Sequence, residues 1–271
     1  MKKFKKLRKI YRIVFPFKYT QESLFENRIK NNPKVEVFKF IEDNVVVKTT
    51  HNIPLMIRSY MHSDIDVFEQ IFNEEEYNII LKLILINFEN ENEIVIIDAG
   101  ANVGYTSVYF KHFIKRAKIF SIEPSKENAR FYRKNVFALN NYKDVKLYEC
   151  ALSSKSGINY SLTRDFRDGK DWAISTIESN KGEVKGITID EIIADNNLTK
   201  ITFLKIDIEG AERFIFTAEN NLSFLSKTKI LAIEIHDEFE IRESIYTLLK
   251  TNNYLLLESG ELTIGLNKDY L

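Results

Sequence analysis

Hydrophobic and polar positions change rhythm along this chain, and each rhythm predicts an element. Ile94-Val95-Ile96-Ile97 are consecutive apolar residues, mostly β-branched, as expected of a strand buried on both faces of a parallel sheet. A turn containing Asp98, Gly100 and Gly104 follows, and then a helix over about 103–115. Beyond it strand and helix alternate: strand 118–122, helix 125–139 with Pro124 at its start, strand 145–150, helix 188–195, strand 201–207, helix 211–222, strand 229–235 and helix 239–251. Residues 254–264 read as a hairpin turning near Ser259-Gly260. The expected fold is α/β, a mostly parallel sheet finishing in an antiparallel hairpin.

Upstream the period differs. Val35 to Phe40 alternates with period two, Val45 to Val47 follows a polar turn, and Ile53 to Ile57 contains Pro54, which suits an edge strand. A small antiparallel element is expected there. Ser63 or Asp64 should cap a helix with Ile65, Phe68, Ile71 and Phe72 on one face, and a helical stretch over 74–88 should follow. At the start of the chain, Phe4, Leu7, Tyr11, Val14 and Phe15 recur at helical spacing among lysines and arginines. Such a basic amphipathic helix can lie on an anionic membrane surface or dock on protein. The polar stretch 153–186, with Gly157, Gly169, Gly182, Gly186 and the tryptophan Trp172, receives no element. Ala151-Leu152-Ser153 is read as a loop on the rim of the sheet.

Composition narrows the function classes. The 39 basic and 39 acidic residues cancel, so no global field draws the protein to nucleic acid. One cysteine, Cys150, excludes an internal disulfide and argues against a cysteine zinc site. No apolar run approaches the ~18 residues of a membrane span, and no signal peptide is evident. The expectation is a soluble cytoplasmic protein, at most peripheral at the inner membrane face.

Two stretches carry candidate chemistry. Strand, glycine turn and helix let backbone N–H groups approach a polar ligand closely. The Gly100-x-x-x-Gly104 spacing matches neither G-x-G-x-x-G nor a phosphate loop. Asp98 before the first glycine suits a ligand bearing an ammonium group. Glu123, about 20 residues beyond the turn, stands where α/β nucleotide sites direct a carboxylate at a ribose diol. In the second stretch Lys205, Asp207 and Glu209 alternate along a strand, and Glu234 and His236 end the next. At neighbouring strand ends these groups can act as base, as substrate-orienting groups or, through Asp207, Glu234 and His236, as ligands of a divalent cation such as Mg²⁺.

Asp98-Ala99-Gly100-Ala101-Asn102-Val103-Gly104, Ile122-Glu123-Pro124, Ala151-Leu152-Ser153, Leu204 to Glu212 and Ile233-Glu234-Ile235-His236 resemble, in order and spacing, the FkbM family of class I methyltransferases. The resemblance covers roughly 90–240. It implies a Rossmann-like domain over 91–271 with a seven-stranded sheet, preceded by an α+β extension over 1–90 that bears on acceptor choice. It implies S-adenosylmethionine as cofactor, its methionine end at Asp98, Gly100, Asn102 and Gly104 and its ribose on Glu123. Where many class I enzymes have an acidic residue facing adenine, this chain has Cys150-Ala151-Leu152, so the adenine contact is expected through backbone, at Ala151, or through a later side chain. Asp207 is expected on the cofactor as well as among the catalytic candidates Asp207, Glu209 and His236. The family points to O-methylation, with a sugar or glycan hydroxyl as preferred acceptor. An NAD-dependent oxidoreductase or epimerase and a noncatalytic binding protein on the same fold stand as alternatives.

Overall fold

The computed structural model describes residues 20–163 and 175–271. The expected basic amphipathic helix at the start of the chain, Gly169 and Trp172 lie outside these residues. Helix α1 (Gln21–Asn31) leads into an antiparallel sheet of β1 (Val35–Ile41), β2 (Asn44–Thr49) and β3 (Pro54–Ile57). Pro54 opens the edge strand β3, where its missing N–H costs no ladder bond. Helix α2 (Asp64–Phe68) continues as a π-helical turn over Glu69–Asn73, and α3 spans Asn78–Phe88. The expected cap at Ser63 or Asp64 is not made. The Ser63 side chain forms no capping bond, and buried Asp64 instead accepts from the Arg58 backbone N–H at 2.9 Å and from its guanidinium at 2.6 Å.

The main sheet contains β4 (Val95–Ala99), β5 (Lys118–Ile122), β6 (Val145–Tyr148), β11 (Ile201–Ile206), β12 (Thr228–Glu234), β13 (Tyr254–Ser259) and β14 (Leu262–Asn267), ordered β13-β14-β12-β11-β4-β5-β6. All neighbours are parallel except the pairs made by β14, which runs antiparallel to both β12 and β13. The chain reverses its direction of sheet growth between β4 and β11, the switch point where open α/β sheets bind ligands.

The unbroken apolar character of the central strands has a direct cause. Along β4 and its approach, Ile94 and Ile96 enter one core while Val95, Ile97 and Ala99 enter another. On β12, Ile230 and Ala232 face the first, Leu231 and Ile233 the second. The first core holds α3, α4 (Tyr105–Phe113), α5 (Lys126–Arg133) and the buried residues of the described upstream segment, from Phe25 to Phe88. The second holds α6 (Ile189–Asp195), α8 (Ser223–Lys227) and α9 (Arg242–Thr251). Edge-on aromatic pairs join the upstream region to α4: Phe68 with Tyr105 at 6.4 Å and Phe72 with Tyr109 at 5.9 Å, while Tyr77 tilts on Phe110 at 5.7 Å. Each such pair contributes roughly 0.5–1.5 kcal/mol beyond area burial, so the upstream residues are held firmly against the glycine-turn helix.

Several expected boundaries move. Pro124 precedes rather than starts α5, because Ser125 is the cap and accepts from the Asn128 N–H at 3.3 Å. The single helix expected over 211–222 is only α7 (Glu212–Ile215), followed after a break by α8. The Asn220 side chain donates to the carbonyls of Phe214 and Ile215 and so ends the helix. Ala151-Leu152-Ser153 is not a rim loop. Ala151–Leu152 form β7, which pairs with β10 (Val184–Ile187) in a four-stranded sheet with β8 (Asn159–Thr163) and β9 (Ser175–Glu178), ordered β7-β10-β8-β9. That sheet occupies the stretch that received no element from the sequence. No described helix is long and apolar enough to cross a membrane.

Candidate active site

The glycine turn after β4 requires unusual backbone. Gly100, Asn102 and Gly104 have φ of 84°, 47° and 90°. At Gly100 a Cβ would stand 1.7 Å from the Asp207 carbonyl oxygen, so the turn presses on the β11 exit as only glycine allows. At Gly104 a Cβ would come within 2.8 Å of the Tyr132 ring. Gly104 thus seats α4 against α5 and does not line the cavity, whereas Gly100, Ala101, Asn102 and Val103 do.

That cavity, about 330 Å³, runs from the turn to the upstream residues. Glu123 lines one end. Its Oε2 accepts from the Asn102 N–H at 2.8 Å, and its Oε1 from the Ser125 N–H at 2.8 Å and from Asn128 at 3.4 Å. Burial outweighs these three bonds and pushes its pKa up to about 7. Each carboxylate oxygen retains capacity for a hydroxyl donor. Beside it the Asn102 side-chain oxygen is buried with no hydrogen-bond partner among the described residues. An unsatisfied buried acceptor next to a buried carboxylate fits the hydroxyls of a ribose or the amine of an amino acid. Ala151 and Leu152 of β7 and Thr176 of β9 complete this end, so the small sheet supplies the wall beside Glu123. These residues fit S-adenosylmethionine.

Asp98 lies beneath the cavity, not in its wall. It is fully buried, accepts from Ser107 Oγ at 2.7 Å, and stands 3.6 Å from Lys205 Nζ. The register that pairs Lys205 with Asp98 across β11 and β4 dictates this contact. Lys205 Nζ also donates to the Gly100 carbonyl at 2.9 Å and reaches Asp207 Oδ2 at 3.2 Å. Burial alone would lower the lysine pKa, but Asp207 and Asp98 outweigh it and hold the ammonium charged. The ammonium that Asp98 faces is therefore that of Lys205, which ties the glycine turn to the β11 exit.

At the other end the wall comprises Asp207, Glu209 and Glu234 from the strand ends, Glu261 from the β13–β14 turn, and Val67, Gln70, Ile71, Glu76 and Tyr77 from upstream. Glu209 is strained into the left-handed region at φ 55°. His236 is fully buried and does not line the cavity. Its Nε2 lies 3.3 Å from Glu209 and 3.6 Å from Glu234, and its Nδ1 lies 3.3 Å from Glu212. Burial would lower the imidazole pKa. The bonds to Glu209 and Glu212 and the charges of Glu212 and Glu234 overcome it and push the value up to about 10.

Two expectations meet the structure here. His236 does not reach the cavity, and its contacts with Glu209 and Glu212 favour the protonated ring, a form that cannot take up a proton. Asp207, Glu234 and His236 are not brought together as a metal site: among the described residues no group of three or more His, Cys, Asp or Glu is arranged to hold a metal ion. Asp207 and Glu209 do reach the cavity with Gly100, Asn102, Glu123 and Ala151; Asp98, Gly104 and His236 support it from behind.

Sequence reasoning missed Glu76, Tyr77, Glu261 and Thr176 as cavity residues, and noted Lys205 only as a neighbour on the strand. Lys205 had a signal, a lysine inside an otherwise uncharged six-residue strand in which every position is buried. Glu76 had none, because Glu74-Glu75-Glu76 reads as a solvated run.

The family model described as the methyltransferase FkbM domain matches residues 98–256, more than half of the chain. The 2-O-methyltransferase NoeI of Sinorhizobium fredii is 25% identical over 160 residues, 53% of this chain and 64% of that protein; this chain thus spans under two thirds of that relative's length. The methyltransferase sdnD of Sordaria araneosa is 24% identical over 218 residues, 69% of this chain and 81% of that protein. The crystal structure of precorrin-6y C5,15-methyltransferase from Geobacter metallireducens aligns with a TM-score of 0.41 at 12% identity, over 70% of this chain and 88% of that one.

Proposed function

The chain belongs to the FkbM methyltransferase family, and from that premise we propose that it carries a methyl group from S-adenosylmethionine to a hydroxyl oxygen of a sugar or glycan. One observation carries the reading: a single cavity joins the glycine turn and Glu123 to a second, carboxylate-rich end built partly by the upstream residues. The cofactor, when bound, supplies an electrophilic methyl carbon on a sulfonium. Glu123 and Asn102 bind and orient its ribose end, and Ala151 and Leu152 pack beside the base. Asp207, held by Lys205 at 3.2 Å, faces the amino-acid end. Glu209, held by the His236 imidazolium, is directed at acceptor hydroxyls, for which an ionised carboxylate is a strong hydrogen-bond acceptor. Burial and then the charge of Asp207 push the Glu234 pKa up to about 9, so it meets a hydroxyl as a neutral carboxyl that can donate or accept. Holding hydroxyl and methyl in line is the main contribution such a site makes. The described upstream residues from 20 to about 90 form the acceptor side and the remainder the cofactor side.

An acceptor carrying hydroxyls and no phosphate suits a wall of carboxylates, since like charges repel. The 2-O-methyltransferase relative agrees with oxygen as the atom methylated. The test is methyl transfer from labelled S-adenosylmethionine to a panel of methyl hexosides, with nucleoside monophosphates as controls. Label in a hexoside supports the reading. Label only in a nucleotide, or in none of the probes while the cofactor binds, rejects the sugar acceptor.

A further inference from the structure

Transfer to a hydroxyl needs a group that takes the proton as the bond forms, and His236, buried behind the wall, does not line the cavity. The cavity wall offers six carboxylates, and five are otherwise engaged or solvated. Glu123 is held by the N–H groups of Asn102 and Ser125 at the ribose end. Asp207 is paired with Lys205 at 3.2 Å, and Glu209 and Glu234 hold the His236 ring. Glu261 is exposed on the hairpin turn. Glu76 is different: it lines the cavity from the upstream side and, among the described residues, makes no ion pair.

The local chain aims it there. Glu75 takes the left-handed conformation at φ 56°, and its side chain turns outward to Lys34 at 2.7 Å. The Asn78 N–H closes the turn on the Glu75 carbonyl at 2.8 Å, and the Glu76 N–H bonds the Gln70 carbonyl at 3.2 Å. Tyr77, buried against Phe110, lines the cavity beside Glu76. Adjacent glutamates thus face opposite ways, one to a surface lysine and one into the cavity.

We infer that Glu76 is the general base of the methyl transfer, a catalytic residue supplied by the upstream region. This rests on the hydroxyl-acceptor reading above. In the step the acceptor oxygen bonds to the methyl carbon, the carbon–sulfur bond breaks with its electron pair going to sulfur, and the hydroxyl proton passes to the Glu76 carboxylate. The groups facing Glu76 are Tyr77 on its own turn, Lys205 and Asp207 at the β11 exit, and Glu261 on the hairpin. Burial first, then the negative charge of Asp207, raise its pKa to about 7, with Lys205 opposing. A carboxylate poised near the working pH is the stronger base for a proton in flight.

Two measurements test this. The first follows glutamate side-chain carboxyl carbons by NMR against pH, with and without S-adenosylhomocysteine, the Glu76 signal being assigned by its loss in Glu76→Gln and Glu76→Asp. A Glu76 signal titrating near neutrality and moving when S-adenosylhomocysteine binds is the expected result. A signal in the ordinary carboxylate range that ignores the ligand overturns the inference. The second compares variants on a hexoside that the wild type methylates. Glu76→Gln should lose at least about 100-fold in kcat, the usual scale for general-base removal, while S-adenosylhomocysteine affinity stays within about threefold. The alkaline-rising limb of the kcat profile should vanish with it. Wild-type turnover in Glu76→Gln overturns the inference. If no hexoside is methylated by the wild type, the acceptor class fails and the NMR titration alone decides the role of Glu76.

Discussion

Replacing His236 with glutamine keeps a hydrogen-bonding side chain and removes the charge that three carboxylates surround. Glu209, Glu212 and Glu234 then face one another in a buried site without a cation. Breaking a buried ion cluster by removing one partner costs about 3–5 kcal/mol. The pKa gives the same scale: a rise from 6.5 to about 10, at about 1.4 kcal/mol per unit, corresponds to roughly 5 kcal/mol. The sign follows from linkage. The folded ring binds its proton more tightly than the unfolded one, so its stabilisation is complete below about pH 6.5 and is lost as pH rises through about 10. The assay is urea denaturation of both proteins at pH 6, 8 and 10, with imidazole nitrogen shifts as a direct readout. Wild type should exceed His236→Gln by at least about 3 kcal/mol at pH 6, with the gap shrinking by about 1.4 kcal/mol per unit above neutrality. Equal stability at pH 6, or a ring already neutral at pH 8, would refute the reasoning.

Other expectations are as direct. Gly100→Ala meets the Asp207 carbonyl at 1.7 Å in a left-handed conformation; it should destabilise by well over ~1 kcal/mol and abolish S-adenosylhomocysteine binding, read by melting with and without ligand. Lys205→Met leaves Asp98 and Asp207 without their shared ammonium, a loss of about 3–5 kcal/mol at neutral pH in urea titrations. Since Asp98 should then take up a proton, Lys205→Met should recover part of that loss at acid pH, where wild type does not gain.

The sheet was legible because a strand covered on both faces must be apolar at consecutive positions, as Ile94 to Ile97 and Ile230 to Ile233 are. The switch-point turn was legible because Gly100 and Gly104 each fill a position where a Cβ has no room. The small sheet was not. Its strands Asn159–Thr163 and Ser175–Glu178 are polar and largely exposed, so no burial imposes an alternation on them. Residues facing the cavity divided the same way. Asp207 and Glu209 could be read from strand parity, but Glu76 enters the site through a backbone reversal at Glu75 that a run of three glutamates conceals. His236 looked like a base because its three carboxylates converge from separate positions, one through the left-handed conformation of Glu209 and one, Glu212, from the first turn of α7. Asp98 looked like a ligand residue because nothing in its own strand reveals the lysine paired with it across the sheet.

Calorimetric titration asks whether the cavity between the glycine turn and Glu123 holds S-adenosylmethionine. S-adenosylmethionine and S-adenosylhomocysteine are titrated into the wild type and into Glu123→Gln, with NAD as control. Bonds from ribose hydroxyls to a charged acceptor are worth about 1.5–3 kcal/mol, so Glu123→Gln should weaken both sulfur ligands by roughly 10-fold to 100-fold, and NAD should give no saturable heat. Saturable binding of NAD with neither sulfur ligand bound, or affinity for them indifferent to Glu123, would contradict the account.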